Sequence, residues 1–174
     1  MVAPNEKLAD SLSQLEALQN RGVAAVRSDD LSRTHREPLV KNGFLQEVLR
    51  GWYVPVRPDE VAGESTAWYA SFWGFCAAYL NARFGDNWCL SPEQSLSLHV
   101  GNRNVPRQLL VRAPIAGNNV TKLPFDTSLF DTRAAMPDDG QISEKDLRAP
   151  GRSGALRGAP GRSGALRGRT KLTN

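Results

Sequence analysis

The run Arg33-Thr34-His35-Arg36, with Lys41 and Arg50 further on, is where this sequence concentrates side chains able to meet a nucleic acid. The planar fork of arginine pairs with the O6 and N7 edge of guanine, and threonine contacts either a base or a phosphate. A lysine or arginine set apart from the reading residues neutralises phosphates, which fixes register without reading sequence. Ser32, directly before the run, is a residue type that starts helices. Ser32, Arg33, Thr34, His35, Arg36, Lys41 and Arg50 are therefore the candidate DNA-contacting residues, and double-stranded DNA is the expected partner. Residues 21–57 hold seven basic groups against four acidic ones, a local positive excess. The same pattern also suits a solvated helix face or a protein-interaction module, and that alternative stays open.

Other chemistries find little support. The two histidines, His35 and His99, and the two cysteines, Cys76 and Cys89, are scattered, without the spacing of a metal site. His99 reads as a helix-terminal residue near the last carbonyls, and Cys76 as an inert thiol among aromatics. No Gly-x-Ser-x-Gly elbow, phosphate loop or dinucleotide fingerprint is present. The expectation is a chain without a catalytic site of its own and without a cofactor.

Positioning the basic run requires helices and a ribbon around it. Leu8, Leu12, Leu15 and Leu18 recur at helical spacing, predicting a helix over Leu8 to Asn20 that Gly22 stops. Gly22 to Val26 suits a small strand. Ser28 with Asp29, Asp30 and Leu31 predicts a short helix, and Ser32 a second one over residues 33–42, stopped by Asn42-Gly43. Pro38 lies inside that second helix and would remove one of its hydrogen bonds. Phe44–Leu49 and Trp52–Val54, around Arg50-Gly51, read as a hairpin with Arg50 at its tip. Two short helices and a following ribbon make a winged helix-turn-helix over residues 22–57, with the first helix as buttress.

Pro55 to Glu64 is a polar connection and the expected domain boundary. Beyond it Ser65 to Phe84 predicts a long helix with aromatic residues on most sides, a pattern for burial. Trp88-Cys89-Leu90 suggests a strand, and Ser91-Pro92-Glu93-Gln94 starts a helix over residues 92–100 that packs through Leu96 and Leu98. Gln108 to Arg112 is another strand. Residues 113–124 read as loop, and 127–133 are too short to assign. Ala149–Gly158 and Ala159–Gly168 are the same ten residues, APGRSGALRG, too poor in apolar groups to build a core. The expected architecture is α+β: a winged helix-turn-helix over 1–57, a small α/β region over 58–136, and a disordered basic tail over 137–174.

The net charge of +4 in 174 residues belongs to that tail. Residues 148–174 hold seven of the 22 basic groups and none of the 18 acidic ones, so the remainder carries 15 against 18, a net of −3. Met1–Asp10 is polar, and the uncharged run 67–82 falls short of the ~20 residues of a membrane-spanning helix. With no disulfide framework either, the expectation is a cytoplasmic protein without membrane association.

Arg27-Ser28-Asp29-Asp30-Leu31-Ser32-Arg33-Thr34-His35-Arg36, Asn42-Gly43-Phe44-Leu45 and Gly51-Trp52-Tyr53 resemble the N-terminal region of bacterial Fic-family (filamentation) proteins. So do Trp68-Tyr69, Cys89-Leu90-Ser91-Pro92-Glu93-Gln94-Ser95-Leu96 and Val105-Pro106. The layout is also similar to AbiEi-type antitoxins. The resemblance implies a regulatory DNA-binding module of toxin-antitoxin or Fic type, with a toxin or Fic-domain protein as partner. Fic AMP transfer needs a His-Pro-Phe-x-x-Gly-Asn-x-Arg loop; here His35 precedes Arg36 and His99 precedes Val100, so that activity does not carry over. The alternatives are an interaction module, or the truncated remnant of a Fic-family adenylyltransferase. On the DNA reading, Arg33→Ala and Arg36→Ala should each weaken operator binding and leave the fold intact.

Overall fold

The leucine spacing of the N-terminal segment sets the first element. In the computed structural model, which describes residues 4–58, 65–137, 142–145 and 168–171, α1 spans Pro4–Asn20. Gly22, at φ +80°, lets the chain turn where a side chain would be strained. Leu15 and Leu18 are buried with Val26, Leu31, Leu39 and Leu45, while Leu8, Leu12, Val23, Phe44 and Tyr53 pack around them.

The next elements follow the predicted order with one change. After β1 (Val26–Arg27), residues 28–31 form a turn and not the expected short helix. Its cause is local: Asp30 bends back and accepts the Arg27 amide at 2.8 Å, and four residues are too few to support a helical nucleus. Next, α2 spans Arg33–Lys41 and runs through Pro38 without breaking. β2 (Leu45–Leu49) and β3 (Trp52–Pro55) are the two arms of the hairpin, joined through Gly51 at φ +78°. β3 is central and antiparallel to both neighbours, in the order β1-β3-β2. The register slips between Glu47 and Leu49, a bulge that sharpens the twist toward the tip.

The chain divides into two compact units at Ser71/Phe72, whereas composition pointed to Pro55–Glu64, of which residues 59–64 lie outside the described set. α3 (Thr66–Phe84) is the long aromatic helix expected, with Trp68, Phe72, Phe75, Cys76 and Leu80 all buried. β4 (Cys89–Leu90) follows, and then α4 (Pro92–His99), whose cap is as predicted: the Ser91 hydroxyl accepts the Gln94 amide. Leu98 is buried but Leu96 is 58% exposed, against expectation. Leu96, Leu98 and Val100 alternate, so a helix cannot turn all three inward; it buries Ser95 and Leu98, three apart on one face.

Three further strands complete this unit: β5 (Gln108–Ala113), β6 (Val120–Lys122) and β7 (Ser128–Arg133). The sheet order is β4-β5-β7-β6, with β5 and β7 parallel and β6 on the edge. β6 falls inside the stretch expected to be loop. Phe125 and Asp126, at φ +53° and +55°, turn the chain between β6 and β7; successive positive φ values match the twist of a tight hairpin.

Arg83 of α3 and Asp131 of β7 form the charged centre of this unit. Asp131 is fully buried. Its Oδ1 accepts the Gly117 and Asn119 amides at 3.0 and 3.1 Å, and its Oδ2 faces Arg83 Nη1 at 2.6 Å. Trp88, also buried, donates its indole N–H to Asn81 Oδ1 at 2.8 Å, a second tie to α3.

Within the stretch expected to be a structureless tail, β8 (Ile142–Lys145) and β9 (Gly168–Lys171) pair antiparallel, a departure at these eight residues. The duplicated decapeptides, up to residue 167, lie outside the described residues. Among the described residues no helix is long and apolar enough to cross a membrane.

Candidate nucleic-acid interface

The seven residues singled out in the sequence do not all face the same way. α2 buries Leu39 in the core of its unit, so residues one turn before it share its inward face. His35, four positions earlier, therefore turns toward α1. Its Nδ1 lies 3.4 Å from Ser11 Oγ and 3.7 Å from Asp10 Oδ2, and the side chain is only 28% exposed. That corrects its assignment as a base reader. Nor do the three make a catalytic triad: serine and aspartate face the same ring nitrogen, and the buried Ser11 hydroxyl donates to the Lys7 carbonyl at 2.7 Å.

Arg36 is the second correction. It is half-buried, donating Nη1–H to the Ser28 carbonyl at 2.7 Å and to the Leu31 carbonyl at 3.4 Å. Its guanidinium also lies 5.6 Å from the centre of the Tyr53 ring. Arg36 thus clasps the 28–31 turn and β3 onto α2, a scaffold role that uses its fork and its π-face together. Arg36→Ala strips the Ser28 and Leu31 carbonyls of a charged donor. The expected outcome is a loss of about 2 kcal/mol of stability, read as a lower urea midpoint. Arg36→Lys should recover little of it, because an ammonium cannot serve both carbonyls and the ring.

The remaining residues do point outward. Arg33 opens α2 with its side chain 82% exposed and Nε–H donated to Glu37 Oε1. Thr34 and Ser32 are exposed, their hydroxyls 2.7 Å apart. Ser32 sits at the capping position yet makes no side-chain bond to a helix amide, so its hydroxyl is spent on Thr34. Lys41 is exposed in the last turn of α2, and Arg50 at the hairpin tip. Neither pairs with an acidic group among the described residues.

The hairpin tip and the start of α2 lie at one end of this unit, because both are anchored to Ser28. Its amide donates to the Gly51 carbonyl at 2.9 Å, and its carbonyl receives Arg36. Gly51 is required there: a Cβ would come within 3.3 Å of Ser28 Oγ, on a backbone that already disfavours side chains.

Sequence reasoning gave no site role to Glu37, Ser28 or Tyr53. Glu37 could have been found, since a glutamate four residues after an arginine on a helix is a standard pairing distance. Its carboxyl is held below the usual carboxylate range by the hydrogen bond and the charge of Arg33. The roles of Ser28 and Tyr53 depend on tertiary placement and leave no local signal. Cys76 is fully buried, and desolvation pushes its thiol well above the ordinary range, so no nucleophile forms there at neutral pH.

Comparison of the chain with known protein families, curated proteins and solved structures gives no match.

Proposed function

We propose that the N-terminal unit is a winged helix that binds double-stranded DNA, with the first turn of α2 as reader and the β2–β3 hairpin as wing. The observation that carries this is the placement of Arg33 and Arg50: both exposed, on separate elements, at the end of the unit that Ser28 ties together. A helix entering the major groove by its N-terminal residues and a ribbon gripping the adjacent backbone need that arrangement. Lys41 adds a cation on the same helix. The role that fits, and that the resemblance to Fic N-terminal regions and AbiEi-type antitoxins implies, is a regulator of its own operon in a toxin-antitoxin or Fic-type system.

The test is a mobility-shift titration of the full chain against its own upstream DNA at two salt concentrations. Arg33→Ala is expected to cost about 1–3 kcal/mol on the preferred site and much less on unrelated duplex. Arg50→Ala should weaken both duplexes alike and lower the salt slope by about 1. Unchanged affinity in both variants removes the reading.

A second reading, an interaction module, draws on α4. Leu96 and Val100 lie one turn apart and are 58% and 74% exposed. Co-purification with an operon neighbour, without a DNA shift, would favour it. On the aromatic helix Trp68, Phe72 and Phe75 are buried, and Tyr69, 42% exposed, is the large side chain it offers to a partner.

A further inference from the structure

Resting on the DNA-binding reading above, we propose that Glu37 sets the base preference of the site by fixing how Arg33 presents its guanidinium to guanine. Three observations converge on this residue. First, the contact is directional. Arg33 gives Nε–H to Glu37 Oε1, leaving the outer edge of the guanidinium, Nη1 and Nη2, without a bond among the described residues. That edge matches the O6 and N7 acceptors of guanine in an end-on, two-bond approach. The alternative side-on approach, which spends Nε, is closed while the pair holds.

Second, the pair does little for the fold. Arg33 and Glu37 are 82% and 60% exposed, and an ion pair in such a setting adds almost nothing to stability. Third, Glu37 is costly for binding that is not selective. It places a negative charge beside the phosphate backbone, on the same outward stripe of α2 as Arg33. A protein that only needed phosphate attraction would gain by lacking it. The long, flexible arginine is thus restrained by its neighbour into one orientation before DNA arrives, and the ordering cost is met in the free protein.

Glu37 does not touch the base in this scheme; it is a positioning residue that acts through Arg33. Its replacement should therefore separate selectivity from affinity. Released from Glu37, Arg33 swings to whichever phosphate or base edge is nearest. Non-selective affinity rises, because a repulsive charge is gone, while preference for guanine falls.

The probe is a pool of random 20-base-pair duplexes, selected on the full chain, followed by titration of the enriched duplex and a scrambled one. Wild type, Glu37→Ala, Glu37→Asp and Arg33→Ala are compared, and thermal melts of all four confirm that the fold is unaffected. The wild type is expected to enrich a site with one position fixed as guanine. Glu37→Ala, which removes the acceptor of the Arg33 Nε–H, should lower the ratio of selected to scrambled affinity by on the order of tenfold, while scrambled-duplex affinity stays level or rises. Glu37→Asp, too short to hold Nε from the next turn, should behave like Glu37→Ala. Arg33→Ala should lose the same guanine preference. If Glu37→Ala keeps the wild-type ratio and preference, Glu37 has no part in selectivity and the proposal falls, while DNA binding stands. If the wild type binds no duplex, the DNA-binding reading fails and this inference fails with it.

Discussion

Asp131→Ala is expected to destabilise the sheet-bearing unit by about 3–5 kcal/mol, a large share of the roughly 5–15 kcal/mol that holds a domain folded. The carboxylate is fully buried and serves two purposes at once. Its Oδ1 satisfies two loop amides, those of Gly117 and Asn119. Its Oδ2 makes no hydrogen bond of good geometry and is answered by the charge of Arg83 at 2.6 Å. Alanine leaves both amides without an acceptor and Arg83 without a counter-ion. Asp131→Asn, which keeps an acceptor but no charge, should fall between. Arg83→Ala should cost less than Asp131→Ala, because Arg83 is 32% exposed and water screens part of its contribution. Urea denaturation followed by hydrogen exchange at the amides of 109–113 and 129–131 reads the effect. A loss below about 1 kcal/mol for Asp131→Ala would show that the carboxylate is dispensable.

Trp88→Ala is expected to cost about 3–5 kcal/mol in the same unit. The indole is 1% exposed and among the largest fully buried side chains. Removing it opens a cavity next to β4 and takes the donor from Asn81 Oδ1. Trp88→Phe separates the two contributions, since it keeps most of the apolar volume and loses only the N–H. It should cost less than half as much. Equal losses in the two variants would assign the effect to the hydrogen bond and contradict the packing account.

Where an element's identity is written in its own residues, the sequence disclosed it. The leucine ladder of α1, the Ser91-Pro92-Gln94 start of α4 and the Gly51 turn each state a local requirement that nothing distant overrides. Residues 28–31 form a turn where a helix is expected because acidic residues after a serine suit a helix start and an aspartate turn equally well. Only the Arg27 amide decided between them. β6 and β7 escaped notice because three residues of one and a central aspartate in the other break the apolar pattern. The Arg83–Asp131 pair joins residues far apart in the chain, so no window could contain it.

The candidate site was legible in composition but not in direction. Arg33 and Arg36 look alike in a sequence, and which of them packs inward depends on where the buried position of the helix falls. Leu39 determined which, by setting the face that includes His35 and by bringing Arg36 within reach of Ser28. A helical-wheel projection anchored on Leu39 would have placed His35 inside; the reach of Arg36 to Ser28 required the fold.

The parallel pairing of β5 with β7 carries a kinetic consequence. Neighbours in a hairpin such as β6 and β7 meet soon after collapse, because little chain separates them. β5 and β7 become partners only after residues 114–127 have swung round into a closed loop, an entropic toll that falls before any ladder bond forms. The β5–β7 ladder therefore forms later in this unit's folding than the β6–β7 hairpin, which needs no such closure.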